Sequence, residues 1–85
     1  MSVILYTKPN CPQCDATKRA LTKNGIIHHV IDATADPAAR ESVMALGYSQ
    51  VPVVVAGNRH WSGFRPDRIK ALADAVVPSV HPVSA

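Results

Sequence analysis

Val3-Ile4-Leu5-Tyr6, then Lys8-Pro9-Asn10, then Cys11-Pro12-Gln13-Cys14: the architecture of the chain follows from this stretch. The apolar run lacks polar alternation, as a strand covered on both faces requires. Lys8-Pro9-Asn10 ends it. A helix should then begin with Cys11 near the cap and Pro12 at the first helical position, where a missing N–H costs nothing. Asn24-Gly25 supplies the stop. Cys14, Thr17 and Leu21 recur at helical spacing and mark the buried face.

Downstream, Ile26 to Ile31 reads as a second strand, with His28 and His29 inside it. Asp36-Pro37 is a helix start, a capping carboxylate followed by proline. Ala39, Val43 and Leu46 should line that helix's inner face, and Gly47 should end it. Val53-Val54-Val55 is a β-branched strand. Gly57-Asn58 turns it into a partner strand over Arg59-His60-Trp61. A last helix opens around Pro66-Asp67 and carries Ile69, Leu72, Ala73 and Val76 on one face. The order β-α-β-α-β-β-α is an α/β layout: a right-handed parallel unit, then a hairpin adding antiparallel strands to the same sheet. A four-stranded mixed sheet flanked by three helices is a minimal thioredoxin-type fold. Residues 1–77 form this single domain, and residues 78–85, with Pro78 and Pro82, are expected to be a disordered tail.

Composition narrows the function. Eighty-five residues leave room for one core, and a chain of that size buries about 60–65% of its unfolded surface. A composition 47% hydrophobic and 18% charged is that of a globular protein, not a disordered one. No apolar run reaches membrane-spanning length, and the N-terminus lacks a signal-peptide layout, so a cytoplasmic protein is expected. The net charge of +3 is spread along the chain, with Lys18, Arg19 and Lys23 the nearest thing to a patch. With four aromatic residues in all, the chain does not read as a nucleic-acid binder. The charge suits a solvated face facing an acidic partner segment.

The two cysteines carry the chemistry. A bond between positions three apart closes too small a loop to stabilise much by entropy, so the pair is read as reactive. At the start of a helix both sulfurs lie on one side, close enough to bridge. Cys11 faces the unpaired N–H groups of the first turn, which favour the nucleophilic thiolate. Cys14, one turn in, should be less exposed. Cys11 then attacks a partner's disulfide, and Cys14 resolves the mixed disulfide. A metal site would have to combine the cysteines with His28, His29, His60 or His81. These histidines lack paired ligand spacing, and the plainer reading is hydrogen-bonded side chains without chemistry.

Cys11-Pro12-Gln13-Cys14-Asp15-Ala16-Thr17-Lys18-Arg19-Ala20, Val51-Pro52-Val53-Val54 and Trp61-Ser62-Gly63-Phe64-Arg65-Pro66-Asp67 together resemble the NrdH-type redoxins, over about residues 3–76. That family looks like glutaredoxins but works like thioredoxins. The resemblance implies a monomeric carrier that takes electrons, ultimately from NADPH, from thioredoxin reductase. It would pass them to the large subunit of class Ib ribonucleotide reductase. No cofactor or metal is implied beyond the redox-active pair, with Cys11 as attacking and Cys14 as resolving thiol. Pro52 matches the cis-proline of the fold, and the backbone of Val51 would lie open to a partner's extended segment. The stretch Trp61-Ser62-Gly63-Phe64-Arg65-Pro66 would form a hydrogen-bonded turn near the dithiol. Pro12 stands where many members carry a β-branched residue or Met, so the redox poise is expected to differ somewhat.

Individual residues keep two readings. Trp61 is either a packing residue or a partner contact. Phe64 is expected in the core. Lys8 is either solvated or helps hold the thiolate, and Thr7 helps hydrogen-bond the loop. Pro12 and Gln13 complete the set of supporting residues. The main alternative function is a glutathione-dependent glutaredoxin, which would carry acidic residues after a Gly-Gly pair. Here Ser62-Gly63 and Phe64-Arg65 stand instead, and an arginine repels glutathione's ammonium, though Asp67 lies nearby. The other alternative is a non-catalytic metal- or cluster-binding module.

Overall fold

A computed structural model describes residues 3–76. The expected order is found: β1 (Val3–Thr7), α1 (Pro12–Lys23), β2 (His29–Asp32), α2 (Pro37–Ala45), β3 (Val53–Ala56), β4 (Arg59–Ser62) and α3 (Pro66–Val76). The sheet runs β2-β1-β3-β4, with β1 and β2 parallel and the other pairs antiparallel. This is the thioredoxin-like fold. The tail expected to be disordered lies outside the described residues.

Alternation along the two central strands builds a core on each face of the sheet. Val3 and Leu5 of β1 and Val54 and Ala56 of β3 pack with Leu21 of α1 and Ile69 and Leu72 of α3. Tyr6 of β1 and Val53 of β3 pack on the other face with Ala39 and Val43 of α2. Apolar residues on both faces are why these strands read as unbroken hydrophobic runs.

Caps set the helix ends. Asp36 accepts from the backbone N–H of Ala38 at 3.0 Å and of Ala39 at 3.4 Å, with Pro37 following. α1 ends in a Schellman motif: Ile26 N–H donates to Leu21 O (2.9 Å) and Gly25 N–H to Thr22 O (3.0 Å). Gly25 takes the left-handed φ of +73° that the motif needs.

That motif corrects the expected second strand. Ile26 is buried in the core but spends its N–H on closing α1, so β2 starts at His29 instead of Ile26. His28 precedes the strand, its Nδ1 2.9 Å from the Ile26 carbonyl. The same device corrects α2. Tyr48 N–H donates to Val43 O (3.2 Å) and Gly47 N–H to Met44 O (2.9 Å), with Gly47 at φ +93°. Leu46 therefore becomes the C-cap and is 36% exposed, and Tyr48 supplies the apolar contact expected of it. At the end of β2, hydrogen bonds from the Thr34 hydroxyl and backbone hold the Asp32 carboxyl below its usual pKa. No described helix is long and apolar enough to cross a membrane.

Candidate active site

The chain leaves β1 at Thr7, whose hydroxyl donates to Ile31 O of β2 (3.4 Å), so it ties two strands and not the loop. Lys8, Pro9 and Asn10 are exposed, with Asn10 at φ +55°, a left-handed conformation that asparagine tolerates. This turn delivers Cys11 to the N-cap of α1 in extended geometry (φ −117°, ψ 101°), with Pro12 next. The Cys11 sulfur accepts from Cys14 N–H at 3.1 Å, and Cys11 O accepts from Asp15 N–H at 3.1 Å.

Cys11 and Cys14 are joined in a disulfide, their Cα atoms 5.2 Å apart. Cys11 is 7% exposed and Cys14 2%, the order the helix-cap reading requires. Once the pair is reduced, the Cys14 N–H and the first-turn dipole point at the Cys11 sulfur and favour its thiolate. Cys14 has no such donor aimed at it among the described residues. The geometry supports nucleophilic attack from Cys11 and resolution by Cys14.

Both cores are assembled without the bond. Reducing it should leave the secondary structure unchanged and shift stability by no more than about 3 kcal/mol, given the short loop. Far-UV circular dichroism and melting with and without reductant check this, and loss of the helical signal would contradict it.

The second wall is the segment before β3. The Val51–Pro52 peptide is cis. No hydrogen bond engages the Val51 backbone among the described residues, whereas Pro52 O accepts from Gly63 N–H at 2.8 Å. Ser62 Oγ donates to Gln50 O (3.2 Å), and Arg65 Nε donates to Ser62 O (3.5 Å). Residues 62–65 thus form the expected hydrogen-bonded turn. It reaches the dithiol loop: a Cβ placed on Gly63 would lie 4.0 Å from Gln13 Oε1. The structure brings Cys11, Cys14, Gln13, Gly63 and the Val51–Pro52 segment to one end of the sheet.

Burial decides between the two readings of Trp61 and overturns that of Phe64. Trp61 is 5% exposed and packs in the core between sheet and α1/α3, its buried indole N–H without a partner among the described residues. Phe64, expected in the core, is 40% exposed. The hairpin register explains the first: Trp61 pairs with Val54 and shares its inward face. Gly63, at φ +89°, turns the chain before Phe64 and takes that residue out of the strand. Arg65 and Pro12 are exposed, Ser62 half-buried.

Sequence reasoning missed a cleft of about 720 Å³ beside Val51, lined by Lys8, Thr34, Arg40, Ser49 and Gln50 among others. Lys8 opens onto it. No residue type there forms a motif, so only the tertiary fold assembles it. Among the described residues, no three His, Cys, Asp or Glu side chains group as metal ligands.

The glutaredoxin family model matches residues 3–61. The glutaredoxin-like protein NrdH of Escherichia coli K12 is 44% identical over 85 residues, covering all of both chains. The chain belongs to the NrdH-type redoxins. Lactococcus lactis subsp. cremoris NrdH is 34% identical over 71 residues, 84% of this chain and 99% of its own. The solved NrdH-redoxin of E. coli, described as having a thioredoxin-like activity profile, superposes with a TM-score of 0.80 at 46% identity. That match covers 85% of this chain and 95% of that one. As an NrdH-type redoxin the chain is a glutaredoxin-like redox protein whose reactive pair is Cys11–Cys14.

Proposed function

We propose that this redoxin is a cytoplasmic, monomeric dithiol–disulfide carrier, reduced by thioredoxin reductase and delivering electrons to the large subunit of class Ib ribonucleotide reductase. The observation that carries the electron source is the exposed pair Phe64 and Arg65 beside the dithiol, where a glutaredoxin would offer carboxylates to glutathione. The thioredoxin-like activity profile stated for the E. coli relative supports it. No dissociable cofactor enters; the redox group is the cysteine pair.

The Cys11 thiolate attacks one sulfur of the acceptor's disulfide, forming a mixed disulfide and expelling the other sulfur as thiolate. The Cys14 thiolate attacks Cys11 Sγ, closing the internal disulfide and releasing the second acceptor thiolate. Two electrons pass to the acceptor, and its thiolates take up protons from solvent. Reductase then returns two electrons from NADPH. During docking, the open backbone of Val51 pairs with the partner's extended segment, with Pro52 shaping that edge. Phe64 supplies apolar contact, Arg65 and Lys8 supply charge, and Pro12, Gln13, Ser62 and Gly63 frame the dithiol. Trp61 supports this surface from beneath.

Purified class Ib reductase, given NADPH, thioredoxin reductase and this redoxin, should form deoxyribonucleotide in proportion to redoxin added. An enzyme that turns over with dithiothreitol but not with this chain would refute the acceptor. A glutathione-dependent glutaredoxin is the second reading, favoured by the exposed carboxylate of Asp67 in the first turn of α3.

A further inference from the structure

Residues 48–52 connect α2 to β3 and carry Val51, whose own backbone is unbonded among the described residues. Its position is therefore set by its neighbours. Three hydrogen bonds tie this segment to β4 and the turn after it. Gly63 N–H reaches Pro52 O, Ser62 Oγ reaches Gln50 O, and at the far end Tyr48 Oη lies 2.7 Å from His60 Nδ1. Residues 48, 50 and 52 are held in turn by residues 60, 62 and 63, and the intervening Val51, its side chain half-buried against the α2-side core, keeps a backbone free of hydrogen bonds among the described residues. The first two bonds belong to the turn already described. The third lies outside every motif in the sequence.

The Tyr48–His60 contact is built, not incidental. Both side chains are half-buried, and their rings meet edge to face, centroids 5.5 Å apart at 73°. Tyr48 is also fixed at its backbone by the Schellman bond to Val43 and packs on the α2 side of the sheet. His60 is held on β4 opposite Val55. The pair thus anchors the start of the 48–52 segment to the strand that anchors its end.

We propose that Tyr48 and His60 are positioning residues for protein disulfide substrates: their hydrogen bond fixes the line of Gln50–Val51–Pro52, the edge on which the substrate's extended segment docks. The pair touches neither sulfur and acts through the segment alone. This rests on Val51 being the docking edge. A small disulfide, which offers no extended backbone, does not need that edge.

The test compares Tyr48→Phe, which keeps the ring, His60→Leu, which removes the ring nitrogen, and His60→Asn, whose amide lies near the Nδ1 position. Each is assayed for dithiothreitol-driven reduction of insulin and for reaction with 5,5′-dithiobis(2-nitrobenzoate). Loss of one hydrogen bond should raise KM for insulin about three- to tenfold in Tyr48→Phe and His60→Leu with kcat little changed. His60→Asn should restore it, and the small disulfide should react at a nearly unchanged rate in all three. An unchanged insulin KM in Tyr48→Phe overturns the proposal. So does an equal loss toward the small disulfide in variants that melt normally, which is the mark of general damage at the dithiol. A wild-type chain that reacts with the small disulfide but does not reduce insulin refutes the docking reading of Val51 itself, a separate outcome.

Discussion

Cys11→Ser should abolish disulfide exchange altogether, whereas Cys14→Ser should still attack and then stall as a mixed disulfide. The asymmetry comes from the helix start. Cys11 occupies the N-cap, where its sulfur receives the Cys14 N–H at 3.1 Å, and is the more exposed of the two. The thiolate is the attacking species, and donors aimed at one sulfur concentrate thiolate character there. With Cys11 as serine, the remaining thiol is 2% exposed and cannot meet a partner's sulfur in line. With Cys14 as serine, the first step is intact and only the resolving thiolate is missing, so a covalent adduct accumulates. Gel electrophoresis without reductant and mass spectrometry after mixing each variant with an oxidised partner check this. Equal adducts on Cys11 and Cys14 at neutral pH would overturn the assignment.

The second large effect concerns the electron source. Glutathione is small and depends on a few charge-assisted contacts, each worth about 1.5–3 kcal/mol. Here the turn after β4 presents Phe64 and Arg65. Losing one such contact and adding a like charge should weaken glutathione by on the order of a hundredfold. A protein reductase loses little, because it gains from apolar contact with Phe64 and from backbone pairing at Val51. The converse follows: Phe64→Glu with Arg65→Asp should raise glutathione-driven turnover on the order of tenfold or more. Phe64→Glu alone should give a smaller gain, since it leaves the Arg65 Nε bond to Ser62 O in place. Phe64 is 40% exposed, so a carboxylate there meets solvent and costs the fold little. No gain in either variant would show that charge at this turn does not decide the electron source.

Much of the fold was legible because each local signal agreed with the global layout. The two-sided apolar runs of β1 and β3, the caps at Cys11 and Asp36, and the Gly57-Asn58 turn all formed as read. The misses cluster where a helix stops. Both Schellman motifs draw on the residue after the glycine, which displaced the start of β2 from Ile26 and took Leu46 off its expected face. The choice between the two readings of Trp61 could have been made from the sequence. A two-residue turn at 57–58 fixes the register that pairs Trp61 with Val54, and a run of three valines leaves only two faces to choose between. The cis peptide before Pro52 was available only through family resemblance, because an X-Pro bond by itself favours trans. The cleft beside Val51 and the Tyr48–His60 pair carry no periodic or motif signal, since their residues meet only once the sheet has formed.

The claim that the Cys11–Cys14 pair of this chain is charged by a protein reductase is tested most directly by NADPH oxidation. The unmodified redoxin, with insulin as final acceptor, is offered either thioredoxin reductase or glutathione with glutathione reductase. Rapid, redoxin-dependent NADPH consumption with thioredoxin reductase and little with glutathione is the expected result. Rapid turnover with glutathione and none with thioredoxin reductase would contradict the account and make the chain a glutathione-dependent glutaredoxin.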